Sequence, residues 1–280
     1  MKVAFFLNLA FTIIEIFGGF LTNSVAILSD ALHDLGDSIS LGISWRLERV
    51  SQRQRDEKYT YGYRRFSLLG AFINGSVLII GSIVILFVAI PRLLQPETPK
   101  VEGMIGLAIL GILFNGVAAI RLKRGKTLNE KVVSWHLWED VLGWVGILLI
   151  GTIMLFWNLP ILDPLFSIVF TLFILYNVMK NFQKTIGIFL QAKPGEMNTQ
   201  MLQKEITKIP GVMSTHDLHV WSMDGVYYIL TIHVVVEDQI AHQNILEIKQ
   251  QVRETCRQME IEHVTIEMEH ESEKCVLENC

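Results

Sequence analysis

Cysteine is scarce in this sequence. Only three of its 280 residues are cysteines, Cys256, Cys275 and Cys280, and all three lie in the polar last part of the chain. Their odd number and irregular spacing argue against a disulfide scaffold and favour a reducing compartment. A strong charge of either sign is missing too, because the net charge is only −4, and it indicates no nucleic-acid partner.

Two motifs of enzymatic or nucleotide chemistry are also missing. The sequence contains no His-Glu-x-x-His string, which is the signature of zinc proteases. Gly125-Lys126-Thr127 matches only the end of a nucleotide-binding Walker A motif, because Ile120 stands where the first glycine is required. No cleavable signal peptide is recognisable, since the first apolar run leads directly into the next. We therefore expect neither an enzyme nor a nucleotide-driven protein.

Long apolar runs are what the sequence has in excess, and 51% of its residues are hydrophobic. Six runs are long enough to cross a bilayer as helices, at about residues 3–22, 24–46, 66–90, 102–120, 133–157 and 162–182. The sequence thus predicts an integral membrane protein. Its residues 1–183 are expected to form an all-α six-helix transmembrane bundle in contact with membrane lipid.

The basic residues between these runs predict the orientation of the bundle. They concentrate in two loops: Arg46, Arg49, Arg53, Arg55, Lys58, Arg64 and Arg65 after the second run, and Arg121, Lys123, Arg124, Lys126 and Lys131 after the fourth. The loops on the other side contain only Arg92 and Lys100. Positively charged loops remain in the cytoplasm, so both termini are predicted to be cytoplasmic.

From about residue 184 the composition becomes polar and its periodicity changes. Helix patterns fit residues 197–208 and 240–259, and strand patterns fit 213–222, 226–236 and 263–270. Asp224-Gly225 is a turn signal between the first two strands. Residues 184–280 are therefore expected to form a small cytosolic α+β domain with the order αββαβ.

Two apolar runs each contain the same unusual pair of ionisable residues. His33 and Asp37 stand four apart in the second run, and His136 and Asp140 stand four apart in the fifth. Residues four apart share a helix face, and ionisable groups in hydrocarbon cost roughly 2.5–3.5 kcal/mol each, so they persist there mostly for function. The two pairs together predict an intramembrane metal site with two nitrogen and two oxygen ligands.

The type of ligand restricts the metal. Two imidazoles and two carboxylates suit a tetrahedral ion of intermediate softness, so Zn²⁺ is the first choice. Co²⁺ and Cd²⁺ fit as well, because affinity alone separates such ions poorly. Ca²⁺ and Mg²⁺ prefer more oxygen ligands.

Further polar residues in these runs keep two interpretations open. Asp30 and Asp34 share the face of His33 and Asp37, but Asp30 lies near the predicted outer boundary and would also suit a helix end. Glu139 points away from its neighbouring pair and is expected to be a neighbour of the metal site. Three other polar residues, Glu15, Asn74 and Asp163, would either support the metal ligands or line the ion pathway, whereas the glycines and serines of these faces are expected to serve helix packing.

Several strings together resemble one known family. They are residues 24–33 (SVAILSDALH), Tyr61-Gly62-Tyr63-Arg64-Arg65, Asn74, His136-x-x-x-Asp140, Asp163-Pro164 and residues 216–221 (HDLHVW). Along nearly its whole length the chain is similar to the cation diffusion facilitators, and in particular to their zinc-transporting branch. The resemblance implies a homodimer that exports cytosolic zinc in exchange for external protons, and a metallochaperone-like C-terminal domain for metal sensing and dimerisation.

The resemblance also implies a second metal site in the C-terminal domain, with Zn²⁺ as a regulatory ligand. His216, His233 and His242 match histidines that bind metal in some members, and Glu267 and Glu269 stand where those members have a histidine and an aspartate. Six of the eight histidines of the chain fall in this domain. Solvent-exposed strand histidines are the alternative interpretation.

Two features of those relatives are missing here. Tyr63 replaces the histidine of a loop site found in some members, and the His-rich loop of many eukaryotic members is absent. The second absence favours a bacterial inner membrane protein.

Histidine chemistry suggests how transport would be coupled. Imidazole titrates near neutrality, so metal and protons compete for the same nitrogen atoms. A metal-sensing membrane receptor is the main alternative, favoured if metal binds without crossing. An intramembrane zinc enzyme is disfavoured, because four protein ligands leave no open coordination position.

Overall fold

The computed structural model describes residues 2–123, 128–273 and 275, with the side chains of some helix residues, His136 among them, outside the description. The chain divides into two compact units. The first combines Met1–Leu47 with Gly70–Phe182, and the second combines Glu48–Leu69 with Gln183–Cys280. The Gly125-Lys126-Thr127 string lies outside the described residues.

Six long helices account for most of the first unit, in the number and the places that the sequence predicts. They are α1 (Lys2–Thr22), α2 (Val25–Ser51), α3 (Arg65–Leu94), α4 (Val101–Lys123), α5 (Leu128–Phe156) and α6 (Leu162–Phe189). The second helix runs past the predicted end at residue 46. A hydropathy pattern marks only the apolar part of a helix, and α2 continues through the charged segment that includes Arg49.

The first unit has apolar side chains outside and polar ones inside. Phe20 and Phe87 are 70% and 78% exposed, whereas Glu15, Asp34 and Asp140 are buried. In water this arrangement would be unfavourable on both counts. In a bilayer it is the expected one, because the lipid replaces water around the bundle and polar groups face one another inside.

Composition alone marks fewer membrane spans than the six helices. Within the described residues, three helical stretches are long and apolar enough to cross a membrane, namely Arg65–Leu94, Trp138–Phe156 and Leu162–Phe189. Leu9–Thr22 and Val101–Val117 are apolar but shorter. The ionisable residues of α2 lower its hydropathy, because that helix carries much of the polar interior of the bundle.

A glycine of α4 and a tryptophan of α5 form a tight contact between these two helices. Trp144 of α5 is fully buried and meets Phe11 of α1 edge to face, with ring centroids 5.9 Å apart. The backbone of α4 reaches the indole at Gly111, where any Cβ atom would overlap the ring. Small residues at such positions let membrane helices approach closely.

The Gly111→Ala variant is expected to be less stable by about 1–3 kcal/mol, because the added methyl group collides with an indole that has no free space. Thermal unfolding of the purified protein in detergent measures the effect as a lower midpoint. Gly106→Ala is the matched control on the same helix, since a Cβ there meets no atom within 4 Å. Equal midpoints for the two variants would contradict the packing argument.

The second unit contains the predicted αββαβ order. Its elements are α7 (Thr199–Thr207), β1 (Val212–Ser222), β2 (Tyr228–Val236), α8 (His242–Gln258) and β3 (Ile261–His270). The sheet has the order β1-β2-β3, with β2 antiparallel to β1 and parallel to β3. Ile248, Val252 and Cys256 form the buried stripe of α8, which packs against the sheet in one apolar core.

The segment between α2 and α3 belongs to this second unit and is attached to the first hairpin. Arg64 donates a hydrogen bond to Asp224 over 3.2 Å and places its guanidinium 4.3 Å from the ring centre of Tyr227. Asp224 also accepts bonds from the backbone N–H groups of Val226 and Tyr227, and Gly225 supplies the positive φ of 94° that the turn requires. The predicted turn at Asp224-Gly225 is confirmed.

A second set of hydrogen bonds closes the segment on itself. Tyr63 donates its hydroxyl to Asp56 over 2.5 Å, and the backbone N–H groups of Lys58 and Tyr59 donate to the same carboxylate. The Tyr63 hydroxyl, followed by the backbone donors, lowers the pKa of Asp56 below its ordinary value. The hydrogen bond from Tyr63 therefore stabilises the loop conformation.

This pKa shift predicts how the loop responds to acid. A lowered folded pKa means that the carboxylate stabilises the loop above its ordinary pKa, and that this stabilisation disappears as the pH falls through the lowered value. In Tyr63→Phe the loss is expected at higher pH than in wild type. Hydrogen exchange of the Lys58 and Tyr59 amides across an acid titration measures it. The control Tyr61→Phe should behave as wild type, and the same shift in both variants would contradict the assignment.

Candidate metal centres

The polar face of α2 brings the first predicted ligand pair together. His33 Nε2 lies 3.4 Å from Asp37 Oδ2, and both side chains are largely buried, with exposed fractions of 17% and 16%. Asp34 joins them, so that one ligand atom from each of the three residues lies within 4.8 Å of the others. The i, i+4 spacing on a helix produces this arrangement without any further element.

The second predicted pair lies on α5. Asp140 is 3% exposed and therefore faces the interior of the bundle. His136 belongs to the same helix four residues earlier, but its side chain lies outside the described residues. The structure thus positions three of the four predicted intramembrane ligands.

Helices α2 and α5 approach each other closely at one point. A Cβ added to Gly143 would lie only 3.4 Å from Asp30 Oδ1. Two helices, α3 and α4, lie between α2 and α5 in the chain, so in a bundle whose successive helices alternate in direction α2 and α5 run in opposite directions. One turn from this contact toward the C-terminal end of α2 leads to His33, and one turn toward the N-terminal end of α5 leads to Asp140. His33 and Asp140 therefore each lie one turn from the same contact, on the same side of it.

Further carboxylates surround this region. Glu15 of α1 is fully buried, and Asp34, Asp30 and Asp140 are its acidic neighbours. Asp30 is 1% exposed within the second turn of α2, so the interpretation as a helix end or a residue outside the bundle does not hold for it. Carboxylates from three helices thus converge in one buried region, which attracts cations.

Asp163 stabilises the start of α2, a role that its position in the sequence does not indicate. From α6 it accepts hydrogen bonds from the Ser24 hydroxyl over 2.5 Å and from the N–H groups of Val25 and Ala26 over 2.8 and 3.3 Å. Ser24 in turn accepts from the N–H of Ile27. These groups are among the unsatisfied donors at the start of α2, so Asp163 caps the helix that carries His33 and Asp37.

A second ligand group lies on the sheet of the second unit. His216 and His233 are direct partners across β1 and β2, and Glu269 reaches them from β3. His233 Nδ1 lies 2.6 Å from Glu269 Oε1, and His216 Nε2 lies 3.2 Å from Glu269 Oε2. Cys275, shortly after β3, completes a group whose ligand atoms all lie within 4.8 Å of one another. We call these four residues the sheet cluster.

The remaining predicted residues of this domain surround the cluster or lie apart from it. Glu267 places its carboxylate 3.4 Å from His233 Nε2 and is largely exposed. Asp217 approaches the same nitrogen to 3.4 Å from a bulge in β1, where its φ is 46°. His242 is the exposed first residue of α8 and is not in the cluster. Sequence patterns did not predict Asp217 or Cys275 as part of this site. The only hints were that Asp217 belongs to the HDLHVW string and that Cys275 is a cysteine in the tail.

The apolar outer surface of the six-helix bundle is that of a multi-pass membrane protein. The histidine and carboxylates inside it are groups that bind a cation, so the class of protein is a membrane cation transporter. A model of the cation efflux transmembrane domain matches residues 1–190, and a model of the cation efflux protein cytoplasmic domain matches residues 194–271. The chain belongs to the cation efflux family, the cation diffusion facilitators. This family consists of transporters, so the prediction that the chain is not an enzyme is confirmed.

Bacterial relatives match along almost the entire chain. The chain is 35% identical over 279 residues to a cadmium, cobalt and zinc/H⁺-K⁺ antiporter of Bacillus subtilis, covering 97% of this chain and 89% of the relative. It is 32% identical to the metal cation efflux system protein CzcD of Cupriavidus metallidurans, with 96% and 85% covered. It is also 32% identical to the zinc transporter ZitB of Pectobacterium atrosepticum, with 100% and 87% covered.

Proposed function

We propose that this protein exports Zn²⁺ from the cytoplasm in exchange for protons, and that it also accepts Cd²⁺ and Co²⁺. The transported ion binds to His33, Asp37, His136 and Asp140. The observation that carries the proposal is the buried group of His33, Asp34 and Asp37 in a bundle with an apolar exterior. The names of the relatives support the choice of metals and of the counter-ion.

The energetics require a coupling ion. Moving two positive charges outward against an inside-negative potential of about 100 mV costs roughly 4.6 kcal/mol. One proton entering in return recovers about half of this cost, and the pH gradient supplies the remainder. Imidazole and carboxylate ligands suit such an exchange, because protons displace the metal from the same atoms.

The relation of the protein to the membrane follows from the basic loops. We propose that both termini are cytoplasmic and that the protein resides in a bacterial inner membrane. The arginine-rich segment after α2 supports this orientation. A reporter that fluoresces only in the cytoplasm, fused after Cys280, is expected to be bright.

The cytosolic domain is proposed to form the homodimer and to sense metal. Its match to the cytoplasmic domain of the family supports the first part, and the sheet cluster supports the second. Metal bound there is expected to favour a transport-ready state of the dimer. Light scattering of the purified protein in detergent measures its mass, and a truncation that removes residues 194–280 tests the regulatory role.

Metal uptake into proteoliposomes tests the transport proposal directly. With an acidic lumen and Zn²⁺ outside, uptake is expected, and a protonophore that collapses the gradient is expected to stop it. No nucleotide is added. Zn²⁺ binding by the purified protein without any uptake would overturn the proposal and leave the metal-sensing receptor as the better interpretation.

A further inference from the structure

We propose that Cys275 is a metal ligand, and that the cytosolic site is formed by His216, His233, Glu269 and Cys275. This inference deepens the proposed regulatory site and rests on metal binding by the cytosolic domain. A thiolate in this position changes the chemical class of the site from a purely imidazole and carboxylate one to a zinc or cadmium site with a sulfur ligand.

Two distances within the sheet cluster are those of a tetrahedral site, whereas the 2.6 Å between His233 Nδ1 and Glu269 Oε1 is that of a hydrogen bond, which a bound ion would replace. With Zn–N bonds of about 2.0 Å and Zn–S bonds of about 2.3 Å, the nitrogen and sulfur ligands stand about 3.6 Å apart. Cys275 Sγ lies 3.6 Å from His233 Nδ1. The same reasoning gives about 3.4 Å between nitrogen and oxygen ligands, and His216 Nε2 lies 3.2 Å from Glu269 Oε2.

The orientation of His216 points to an ion between the ligands. Its Nε2 atom is buried and close to the Glu269 carboxylate, yet the two do not form a hydrogen bond. A buried nitrogen without a hydrogen bond is costly in a protein interior. Coordination of a cation between the nitrogen and the carboxylate removes that cost.

His233 is oriented through its other nitrogen. Its Nε2 atom faces Asp217 Oδ2 and Glu267 Oε2, each 3.4 Å away, while its Nδ1 atom faces the cluster. A histidine that binds metal usually directs its second ring nitrogen to a carboxylate, which fixes the tautomer and the ring orientation. Asp217 and Glu267 are therefore positioning residues, and Nδ1 is the ligand atom.

The other described cysteine differs from Cys275 in every relevant respect. Cys256 is fully buried in the apolar core of α8, and burial raises its pKa to about 11. The raised pKa keeps this thiol protonated at physiological pH, and Cys256 belongs to neither group of potential metal ligands among the described residues. Cys275 is partly exposed and lies against imidazole and carboxylate groups.

The thiolate alters the expected metal preference. Two histidines and a glutamate alone form a rather hard site, and the two glutamates of β3 would predict weak zinc binding. A sulfur ligand favours Zn²⁺ and Cd²⁺ over Mg²⁺, Ca²⁺ and Mn²⁺. The domain would then respond to the same class of ions as the proposed transport site, in the presence of millimolar Mg²⁺.

Co²⁺ absorption spectroscopy of the full-length protein in detergent tests the proposal. A sulfur-to-cobalt charge-transfer band in the near ultraviolet appears only when a thiolate binds Co²⁺, and the proposed intramembrane site has no sulfur ligand. The band is expected in wild type and in the matched control Cys280→Ser. It is expected to disappear in Cys275→Ser, with a Zn²⁺ affinity at the cytosolic site more than about tenfold lower.

The outcomes separate this inference from the proposal on which it rests. Equilibrium dialysis counts bound Zn²⁺, and His216→Ala is expected to remove the equivalent that belongs to the cytosolic site. If His216→Ala removes one equivalent but wild type shows no charge-transfer band, Cys275 is not a ligand and the inference is overturned. If His216→Ala binds as many Zn²⁺ ions per chain as wild type, the proposal that the cytosolic domain binds metal is refuted. A band that persists in Cys275→Ser also overturns the inference.

Discussion

Proteoliposomes that carry the Asp140→Ala variant are expected to take up Zn²⁺ at less than about one hundredth of the wild-type rate under the same pH gradient. Asp140 is 3% exposed and lies one turn from the point where Gly143 of α5 meets Asp30 of α2. Its removal leaves three of the four proposed ligands for the ion. It also takes away a negative charge that offsets the cost of a divalent cation inside the membrane.

Glu139→Ala is the matched control for this experiment. It removes the same charge from the neighbouring position, but Glu139 is exposed and points away from the interior. Its transport rate is expected to remain close to that of wild type. An equal loss of transport rate in both variants would indicate that transport depends on the negative charge of this region and not on Asp140 as a metal ligand. Wild-type uptake by Asp140→Ala would place the transport site elsewhere.

A binding measurement on the same variants separates transport from folding. The free energy of unfolding of Asp140→Ala should stay within about 1 kcal/mol of wild type, because the lost carboxylate lies among other acidic groups, including Asp34, Asp30 and Glu15, and adds to their mutual repulsion. Its Zn²⁺ stoichiometry should fall by one equivalent per chain. A loss of transport with unchanged stoichiometry would assign Asp140 to the movement of the ion and not to its binding.

Features of the fold that depend on local pattern could be predicted from the sequence. Apolar runs predicted the six helices, and alternation predicted the three strands, because each pattern reports the face that one element buries. The pair of His33 and Asp37 was predictable for the same reason, since a spacing of four on a helix fixes their contact. The extension of α2 up to Ser51 was not predictable, because a hydropathy pattern does not reveal a helix whose residues are polar.

Features that join distant segments were not predictable in this way. Asp163 and the start of α2 are 138 positions apart, and nothing near Asp163 indicates that another helix begins beside it. Cys275 follows a strand and meets β1 and β2 only after the sheet has formed. Asp217 turns toward His233 because of a bulge, which alternation of residue types does not predict. Each depends on tertiary contact and not on local periodicity.

The cap on α2 leads to the second large effect. Asp163→Ala is expected to lower the stability of the bundle by about 2–4 kcal/mol, because the Ser24 hydroxyl and the N–H groups of Val25 and Ala26 lose their acceptor while they remain buried. A buried donor without a partner costs its full desolvation energy, and the negative charge at the start of α2 is lost as well. Thermal unfolding in detergent measures the effect as a lower midpoint.

Two comparison variants make this result specific to the cap. Asp163→Asn keeps one oxygen acceptor and is expected to lose about half as much stability. Glu97→Ala removes a carboxylate that is 58% exposed, accepts a hydrogen bond from Asn23 and pairs with Arg92 over 3.3 Å. Contacts of such exposed carboxylates contribute about 1 kcal/mol or less. A midpoint for Asp163→Ala no lower than that for Glu97→Ala would show that the cap does not hold α2. Because α2 carries His33 and Asp37, the destabilised variant should also bind Zn²⁺ more weakly, although Asp163 is not among the proposed ligands.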